Sequence, residues 1–273
     1  MKTSRLDYRD KVAVITGAGS GIGRALAHAL ADRGCHLALA DIHAANLAAT
    51  AANLRASGVR CSTHVLDVAS REQVAALPQQ VLAQHPTVDL LFNNAGVAFG
   101  GYFIDTPEAD YEWLFEINFH GVVRMTRAFL PTLIGRPDAH VINLSSIFGI
   151  IAPAGQAHYS ASKFAVRGFS DALRHELVGT SVGVTAVCPG GIATAIAESA
   201  RFAPTISPEV RAKQLARAKR LLRKPPAEAA DIILEGVARR RARILVGTDA
   251  KVAYWLERLM PTTYGSILRR LGA

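Results

Sequence analysis

The strongest chemical signal in this 273-residue chain is a pair of side chains four positions apart, Tyr159 and Lys163. Helical spacing runs from about Tyr159 to Gly179, and residues four apart on a helix project from one face. A phenol ordinarily ionises near pH ~10, too high for an efficient base at neutral pH. An ammonium beside it favours the phenolate and draws that value down, so the pair could take a proton from an alcohol and return it to a carbonyl. The plain alternative is a Tyr–Lys pair on a solvated helix face.

A second signal is the run Thr16-Gly17-Ala18-Gly19-Ser20-Gly21-Ile22-Gly23, which closes an apolar strand and opens a helix. Glycines let the backbone turn tightly and approach a phosphate, while the helix N-terminus offers free N–H groups and a positive dipole end. The spacing is T-G-x-x-x-G-x-G. It is not G-x-G-x-x-G, because Ile22 and Arg24 fill the required glycine places, and it lacks the G-K-[ST] of a phosphate-binding P-loop. A tight strand–helix connection would use the same residues. Asp41, 18 residues after Gly23, closes the second strand candidate, where a carboxylate can accept hydrogen bonds from adenosine ribose hydroxyls. A carboxylate there also repels the 2′-phosphate of NADP, and the adjoining Ile42 supplies no compensating charge, so NAD is expected over NADP. The alternative for Asp41 is a helix N-cap.

The elements that must position these groups follow from periodicity. Strand candidates are Val12–Thr16, His36–Ala40, Ser62–Leu66, Val88–Asn93, Ala139–Leu144, Val182–Val187 and Arg243–Val246. Most are continuous apolar runs, as in strands covered on both faces. Helical spacing fills Gly21–Arg33, Ala44–Ser57, Arg71–Gln84 and Ala227–Arg240, and Thr106-Pro107-Glu108 reads as a helix start capped by Thr106. Alternating strands and helices predict an α/β, Rossmann-type doubly wound sandwich: a mainly parallel sheet of about seven strands with helices on both faces. No linker or repeat interrupts it, so 1–273 is expected to be a single dinucleotide-binding and catalytic domain. Within it, 190–224 would form a substrate loop without strands, and 249–273 a C-terminal extension.

In this order the motifs resemble those of the short-chain dehydrogenases/reductases of the single-domain Tyr-x-x-x-Lys type. They are T-G-x-x-x-G-x-G at 16–23, Asp67-Val68, Asn93-Asn94-Ala95-Gly96, Asn118, Ser145-Ser146, Tyr159-x-x-x-Lys163 and Pro189-Gly190. The resemblance spans about residues 10–195. It implies that Gly17, Gly19, Ser20, Gly21, Ile22 and Gly23 cradle the pyrophosphate, with Asp41 and Ile42 at the adenosine ribose. Asp67 and Val68 would contact adenine, and Asn94, Ala95 and Gly96 would line the ribose and nicotinamide path. Pro189, Gly190, Ile192 and Thr194 would hold the carboxamide; here a second glycine, Gly191, is read as leaving extra backbone freedom before Ile192. Tyr159 would be the acid/base, Lys163 would tune it and bind the nicotinamide ribose, and Ser146 would hydrogen-bond the reacting oxygen. Asn118 would hold a water near the lysine through its backbone carbonyl. Ser145 is expected to serve local structure, and His120, His158 and His175 get no catalytic role.

The substrate wall implied by the resemblance is apolar: Val97 and Phe99, then Phe148, Ile150 and Ile151, then Ile196 and Phe202. Ser146, Phe148, Tyr159 and Phe202 are the substrate residues expected from it. The function so read is hydride transfer between NAD and a small hydrophobic secondary alcohol or ketone. An NADPH-dependent ketoreductase could act instead on a thioester-linked carbonyl, with Arg201, Arg211 or Lys213 at its rim. A reading from a different class is a non-catalytic NAD-binding sensor.

Bulk properties bound these readings. Cys35, Cys61 and Cys188 form no CxxC pair and read as buried free thiols of a reducing compartment. No His/Cys/Asp/Glu cluster has metal-ligand spacing, which argues against a zinc alcohol dehydrogenase. The polar N-terminus MKTSRLDYRDK lacks export-signal features, and no window nears the ~20 apolar residues of a membrane span, so a cytoplasmic protein without stable membrane insertion is expected. The net charge of +9 is uneven: residues 1–200 hold 15 basic and 16 acidic side chains, residues 201–273 hold 16 and 6. No nucleic-acid motif accompanies the basic part. In the tail, Val252, Trp255, Leu256 and Leu259 recur at helical spacing with Arg258, Arg269 and Arg270 alongside. That stripe would pack on its own domain or a second subunit, cap the substrate pocket, or touch a membrane surface. The resemblance also implies a homodimer or homotetramer formed through the helices bearing Asn118 and Tyr159.

Overall fold

The structure, a computed structural model, describes residues 5–270. The first four residues, the tail's closing 271–273 and the Arg270 side chain lie outside the described set. The strands are β1 (Val12–Thr16), β2 (His36–Asp41), β3 (Cys61–Val65), β4 (Leu90–Asn93), β5 (Phe99–Gly100), β6 (His140–Leu144), β7 (Gly183–Pro189), β8 (Arg201–Phe202) and β9 (Arg243–Val246). Seven of them form one sheet in the order β3-β2-β1-β4-β6-β7-β9, and every neighbouring pair is parallel. The helices are α1 (Gly21–Ala31), α2 (Ala44–Asn53), α3 (Arg71–Leu82), α4 (Glu108–Phe115), α5 (Gly121–Ile134), α6 (Ala157–Glu176), α7 (Pro208–Leu221), α8 (Pro226–Ala238), α9 (Thr248–Leu259) and α10 (Tyr264–Arg270).

The continuous apolar strands are explained by packing on both sides. On one face Ile15, Leu37 and Phe92 meet Leu26 and Leu30 of α1 and Ile233 and Val237 of α8. On the other, Val14, Leu91 and Val141 meet Val74 and Leu77 of α3, Met125 and Phe129 of α5, and Leu173 of α6. β3 differs because it is an edge: its residues alternate between buried and exposed, and Cys61 is only half-buried where a buried thiol was expected. From β1 the chain winds one way to β2 and β3 and the other way to β4 and β6. Such a switch point leaves a crevice beyond the carboxyl ends of the strands, where sheets of this class bind ligands.

Four sequence expectations are corrected. The Ala44–Ser57 helix ends at Asn53, and a 3₁₀ turn at Arg55–Ser57 leads into Gly58, whose φ of +73° turns the chain away. Thr106 does not cap α4: Pro107 is the cap residue, and the Thr106 hydroxyl donates to the Tyr102 carbonyl. The 190–224 segment does contain a strand, since β8 pairs in parallel with β5. That two-residue ladder is too short to carry a periodic signal. In the tail, Val252, Trp255 and Leu259 face outward and are exposed. α9 instead buries Ala250 and Ala253, whose small side chains let it approach the Ile147–Gly149 turn. Tyr264 and Leu268 of α10 pack on the same cluster with Ile150, Ile151 and Cys188. The Ala152 N–H donates to the Tyr264 hydroxyl at 3.2 Å. The extension does pack on its own chain, but through Ala253, Tyr264 and Leu268 and not through the stripe of Val252, Trp255 and Leu259.

Two buried imidazoles give this fold an acid limit. The His140 ring reaches the Thr185 hydroxyl at 2.7 Å, and that hydroxyl donates to the Arg241 carbonyl, so the imidazole Nε2 carries the donated proton. Burial, then the Arg240 charge, lowers its pKa from 6.5 to about 3. His85 shares the Ser62 hydroxyl with His64 at 2.9 Å each, and burial, then the charges of Arg60 and neighbouring histidines, takes it to about 4. Both groups bind protons near 6.5 when unfolded and far lower when folded, so the unfolded chain holds more protons in between. Stability is therefore full above pH 6.5 and falls as pH drops towards 4 and then 3. Thermal melts between pH 7.5 and 4 should show a falling Tm, with a shallower decline for His85→Gln. A Tm that is flat over this range contradicts the assignment.

Candidate active site

The glycine turn is built by close approach. A Cβ on Gly23 would meet the Gly17 carbonyl oxygen at 2.1 Å, so α1 can start against the turn only with glycine there. Gly17 and Gly21 adopt φ of +65° and +50°, in the region that L side chains resist. Two neighbours fix the turn. The Asn94 side-chain amide donates to the carbonyls of Thr16 and Gly17 at 2.9 and 3.2 Å, and Asp41 accepts from the Gly19 N–H at 2.8 Å and the His43 N–H at 2.9 Å. His43, not Asp41, is the cap residue of α2, so the carboxylate is a fixture of the turn.

The turn forms one end of a cleft of about 470 Å³ at the carboxyl ends of the strands. Its lining brings together Gly17, Ser20, Gly21, Ile22, Asp41, Ile42, Asp67, Val68, Asn94, Ala95, Gly96, Ser146, Tyr159, Lys163, Pro189, Gly190, Ile192 and Thr194. Gly19 and Gly23 stand behind this surface and shape it. The lining carries no lysine or arginine besides Lys163.

At the far end from Asp41, Tyr159 and Lys163 rise from the first turns of α6. The Lys163 ammonium is buried, 5.7 Å from the Tyr159 ring centroid, and donates to the Leu144 carbonyl at 3.1 Å. Burial lowers its pKa to about 8. Burial also raises that of Tyr159, opposed by the Ser146 hydroxyl. Ser146 Oγ accepts from the Phe148 N–H at 3.1 Å, which leaves its own proton available to the cleft. Ser145 Oγ donates to the Lys163 carbonyl at 2.8 Å, tying α6 to the end of β6.

Asn118 is fully buried in a π-helical turn, Glu116–His120, and does not reach the cleft surface. Its side chain accepts from the Val97 N–H at 2.8 Å and donates to the Val97 carbonyl at 3.0 Å and the Ser162 hydroxyl at 3.3 Å. One amide therefore ties the segment after β4 to α6. A Cβ on Gly96 would press on this amide and on the lysine, at 3.1 and 3.3 Å. His158 is buried edge-on to Phe99 at 4.7 Å.

On the substrate side five of the seven expected wall residues, Phe99, Phe148, Ile150, Ile151 and Phe202, are off the cleft lining. Phe202 does not line the cleft; it borders a neighbouring cavity beneath the Arg211 guanidinium. Phe148 is likewise not on the lining and packs T-shaped against Tyr159 at 6.1 Å. Val97 and Ile196 are on the lining as expected, and Trp113 and Ile117 join them in its apolar wall. Trp113 and Ile117 were missed, because their low-amphipathicity segment gives no sign of which face meets the cleft. Arg201 is occupied: its guanidinium lies 3.7 Å over Trp113 and pairs with Asp110 at 2.8 Å.

Gly191 is also corrected. It confers no freedom: a Cβ there would strike the Leu221 carbonyl oxygen at 2.1 Å. Its carbonyl accepts from the N–H groups of Arg223 and Lys224. Its own N–H donates to Asp249 at 2.6 Å. Asp249, in the first turn of α9, thus clasps the Pro189-Gly190-Gly191 bend from within the C-terminal extension, a role that no local motif announces.

Comparisons with known proteins agree with this fold. Residues 11–204 match the family model for short chain dehydrogenases. The chain is similar to the oxidoreductase SadH of Mycobacterium tuberculosis, 44% identical over 94% of this chain and 93% of that protein. It is 36% identical to oxidoreductase UcpA of Escherichia coli over 76% of this chain and 80% of that one. Among solved structures, a short-chain dehydrogenase/reductase from Burkholderia phymatum in complex with NAD superposes with a TM-score of 0.87. It is 36% identical, covering 93% of this chain and 95% of that one.

Asp249→Ala should loosen the bend at 190–192 without touching the reactive pair. Removing a charged acceptor from an N–H costs about 1.5–3 kcal/mol, so NADH affinity, titrated by nicotinamide fluorescence, should weaken about ten- to a hundredfold. Unchanged affinity would show that the clasp does not shape the cleft.

Proposed function

The chain belongs to the short-chain dehydrogenase family of nicotinamide-dependent oxidoreductases, and from that premise we propose that it moves a hydride between NAD and a hydrophobic secondary alcohol or ketone. The observation that carries this reading is the Lys163 ammonium buried beside the Tyr159 ring, at one end of a cleft whose other end holds Asp41. The cradle fits a dinucleotide: glycines admit backbone where a Cβ would collide, and the lining supplies carboxylates at one end and the reactive pair at the other. The NAD in the Burkholderia phymatum relative supports the same reading.

The roles follow from chemistry. Gly17 to Gly23 and the start of α1 hold the pyrophosphate by N–H groups and dipole. Asp41 receives the adenosine ribose hydroxyls, and its charge, with no arginine or lysine nearby in the lining, disfavours a 2′-phosphate. Asp67 and Val68 flank the adenine, and Asn94, Ala95, Gly96, Ile192 and Thr194 line the way to the nicotinamide. When bound, the nicotinamide supplies the hydride exchange and, in its oxidised form, a positive charge that favours phenolate.

Tyr159 Oη takes the proton from the substrate hydroxyl in oxidation and returns it to the carbonyl oxygen in reduction. Lys163 stabilises the phenolate and holds the nicotinamide ribose. Ser146 Oγ donates to the substrate oxygen, where charge develops. Val97, Trp113, Ile117 and Ile196 form an apolar wall that favours an aliphatic or aromatic substrate over a charged one. Arg201 is already paired with Asp110, which weakens the case for a phosphate-bearing thioester.

Tyr159→Phe should bind NADH within about twofold of wild type while turnover falls about 10²–10⁴-fold, as for loss of a general acid/base. Activity near wild type in a panel of hydrophobic alcohols and ketones would overturn the role of Tyr159. Asp41→Ala should weaken NADH binding about tenfold through lost charge-assisted hydrogen bonds and narrow its advantage over NADPH. Tighter NADPH than NADH binding by the wild-type chain would remove the NAD assignment.

A further inference from the structure

Helix α7 has an unusual surface: none of its 14 residues is buried. Between Pro208 and Lys224 the chain has seven basic side chains and one acidic one, Glu209, which is engaged with the Ser207 hydroxyl. Lys219 pairs with Glu198 and Lys224 with Glu228, while Lys213, Arg217 and Arg220 have no salt-bridge partner among the described residues. Leu215 and Ala218 are only partly buried, so the helix gains little from packing on its own domain. Its excess charge points to an anionic partner.

Beside it stands a second exposed feature. β5 pairs with β8, and the Gln214 side chain of α7 comes within 3.6 Å of the place a Cβ on Gly100 would occupy. The next residues, Tyr102, Phe103 and Ile104, are 65%, 69% and 90% exposed. Three consecutive large apolar side chains facing water beside a cationic helix are an arrangement suited to the bilayer interface. There aromatic rings and aliphatic tips enter the headgroup boundary and lysine and arginine meet anionic lipid. The other exposed apolar stripe, Val252, Trp255 and Leu259 on α9, lacks this setting: Lys251 and Arg258 there stand beside Glu257.

We propose that the Tyr102–Ile104 projection and the basic face of α7 together form a peripheral docking surface for an anionic phospholipid bilayer. The surface borders the Phe202–Arg211 cavity, whose Arg201 stacks on Trp113 of the cleft's apolar wall. A lipophilic substrate dissolved in the bilayer would then lie near the mouth. Docking leaves the body of the chain outside the membrane, and no described helix is long and apolar enough to cross one.

The test is co-sedimentation of the full chain with vesicles, a readout independent of turnover and of the proposed substrate class. Vesicles of phosphatidylcholine with about one third phosphatidylglycerol should bring the protein down, and pure phosphatidylcholine should bind it far less. Each cation near such a surface strengthens binding about fivefold and is screened within a Debye length. The triple variant Lys213→Glu, Arg217→Glu, Arg220→Glu should therefore lose binding by at least about 10²-fold, and salt should weaken the wild type. Phe103→Ser with Ile104→Ser should weaken it several-fold at unchanged salt dependence. Both variants should keep wild-type NADH binding, which certifies the fold. Failure of the wild type to bind at low salt, or variants that bind as well as it does, overturns the proposal. So does a Phe103→Ser, Ile104→Ser chain that binds vesicles normally but changes oligomeric mass, for the patch would then be a contact between copies.

Discussion

The interaction on which the site depends is a cation kept inside the protein. Lys163 is buried, and the one hydrogen bond that its ammonium makes among the described residues goes to the Leu144 carbonyl at the end of β6. A buried charge without a counter-ion is costly, and the depressed pKa, about 8, records that cost. An ammonium so placed is short of partners until a phenolate or a ribose hydroxyl arrives. The structure around it reads as the means of holding it there. Ser145 ties its backbone to β6, the Asn118 amide locks the segment after β4 to the same helix, and Gly96 leaves the space its head occupies.

The opposite end of the cleft obeys a different constraint. There backbone packs closely on backbone, so side chains must be absent or turned into braces. Gly23 allows α1 to meet the turn, and Asn94 and Asp41 fasten it from two neighbouring strands. Asp41 has two uses: it already accepts from Gly19 and His43, and it faces the cleft with lone pairs remaining on its oxygens. The carboxylate that braces the loop is therefore the same one to which the proposed preference for NAD is assigned.

Much of this was legible in the sequence because it is local. Continuous apolar runs reported strands covered on both faces, and the spacing of Gly17 to Gly23 and of Tyr159 and Lys163 reported a turn and a helix face. Contacts made across long stretches of chain were not legible. Gly191 suggested freedom, yet it is a crowded crossing whose neighbours, Leu221 and Asp249, lie 30 and 58 residues away. Phe202 was expected on the substrate wall, but the β5–β8 ladder turns it to a separate cavity. In α9 the apolar periodicity pointed to the wrong face, because close approach to the Ile147–Gly149 turn selects the alanines. Periodicity identifies a stripe; the size available at the contact decides which stripe is buried.

The central claim is that Lys163 and a bound oxidised nicotinamide together bring the Tyr159 phenol into a working range from a value that burial alone has raised. The most direct measurement is the ionisation of that one phenol, followed by ultraviolet difference spectroscopy as wild type minus Tyr159→Phe, with and without saturating NAD⁺. The account predicts an elevated pKa in the free protein and a clear fall on binding NAD⁺, most of which disappears in Lys163→Met. A phenol whose ionisation is the same with and without NAD⁺, or unaffected by loss of the ammonium, would contradict it.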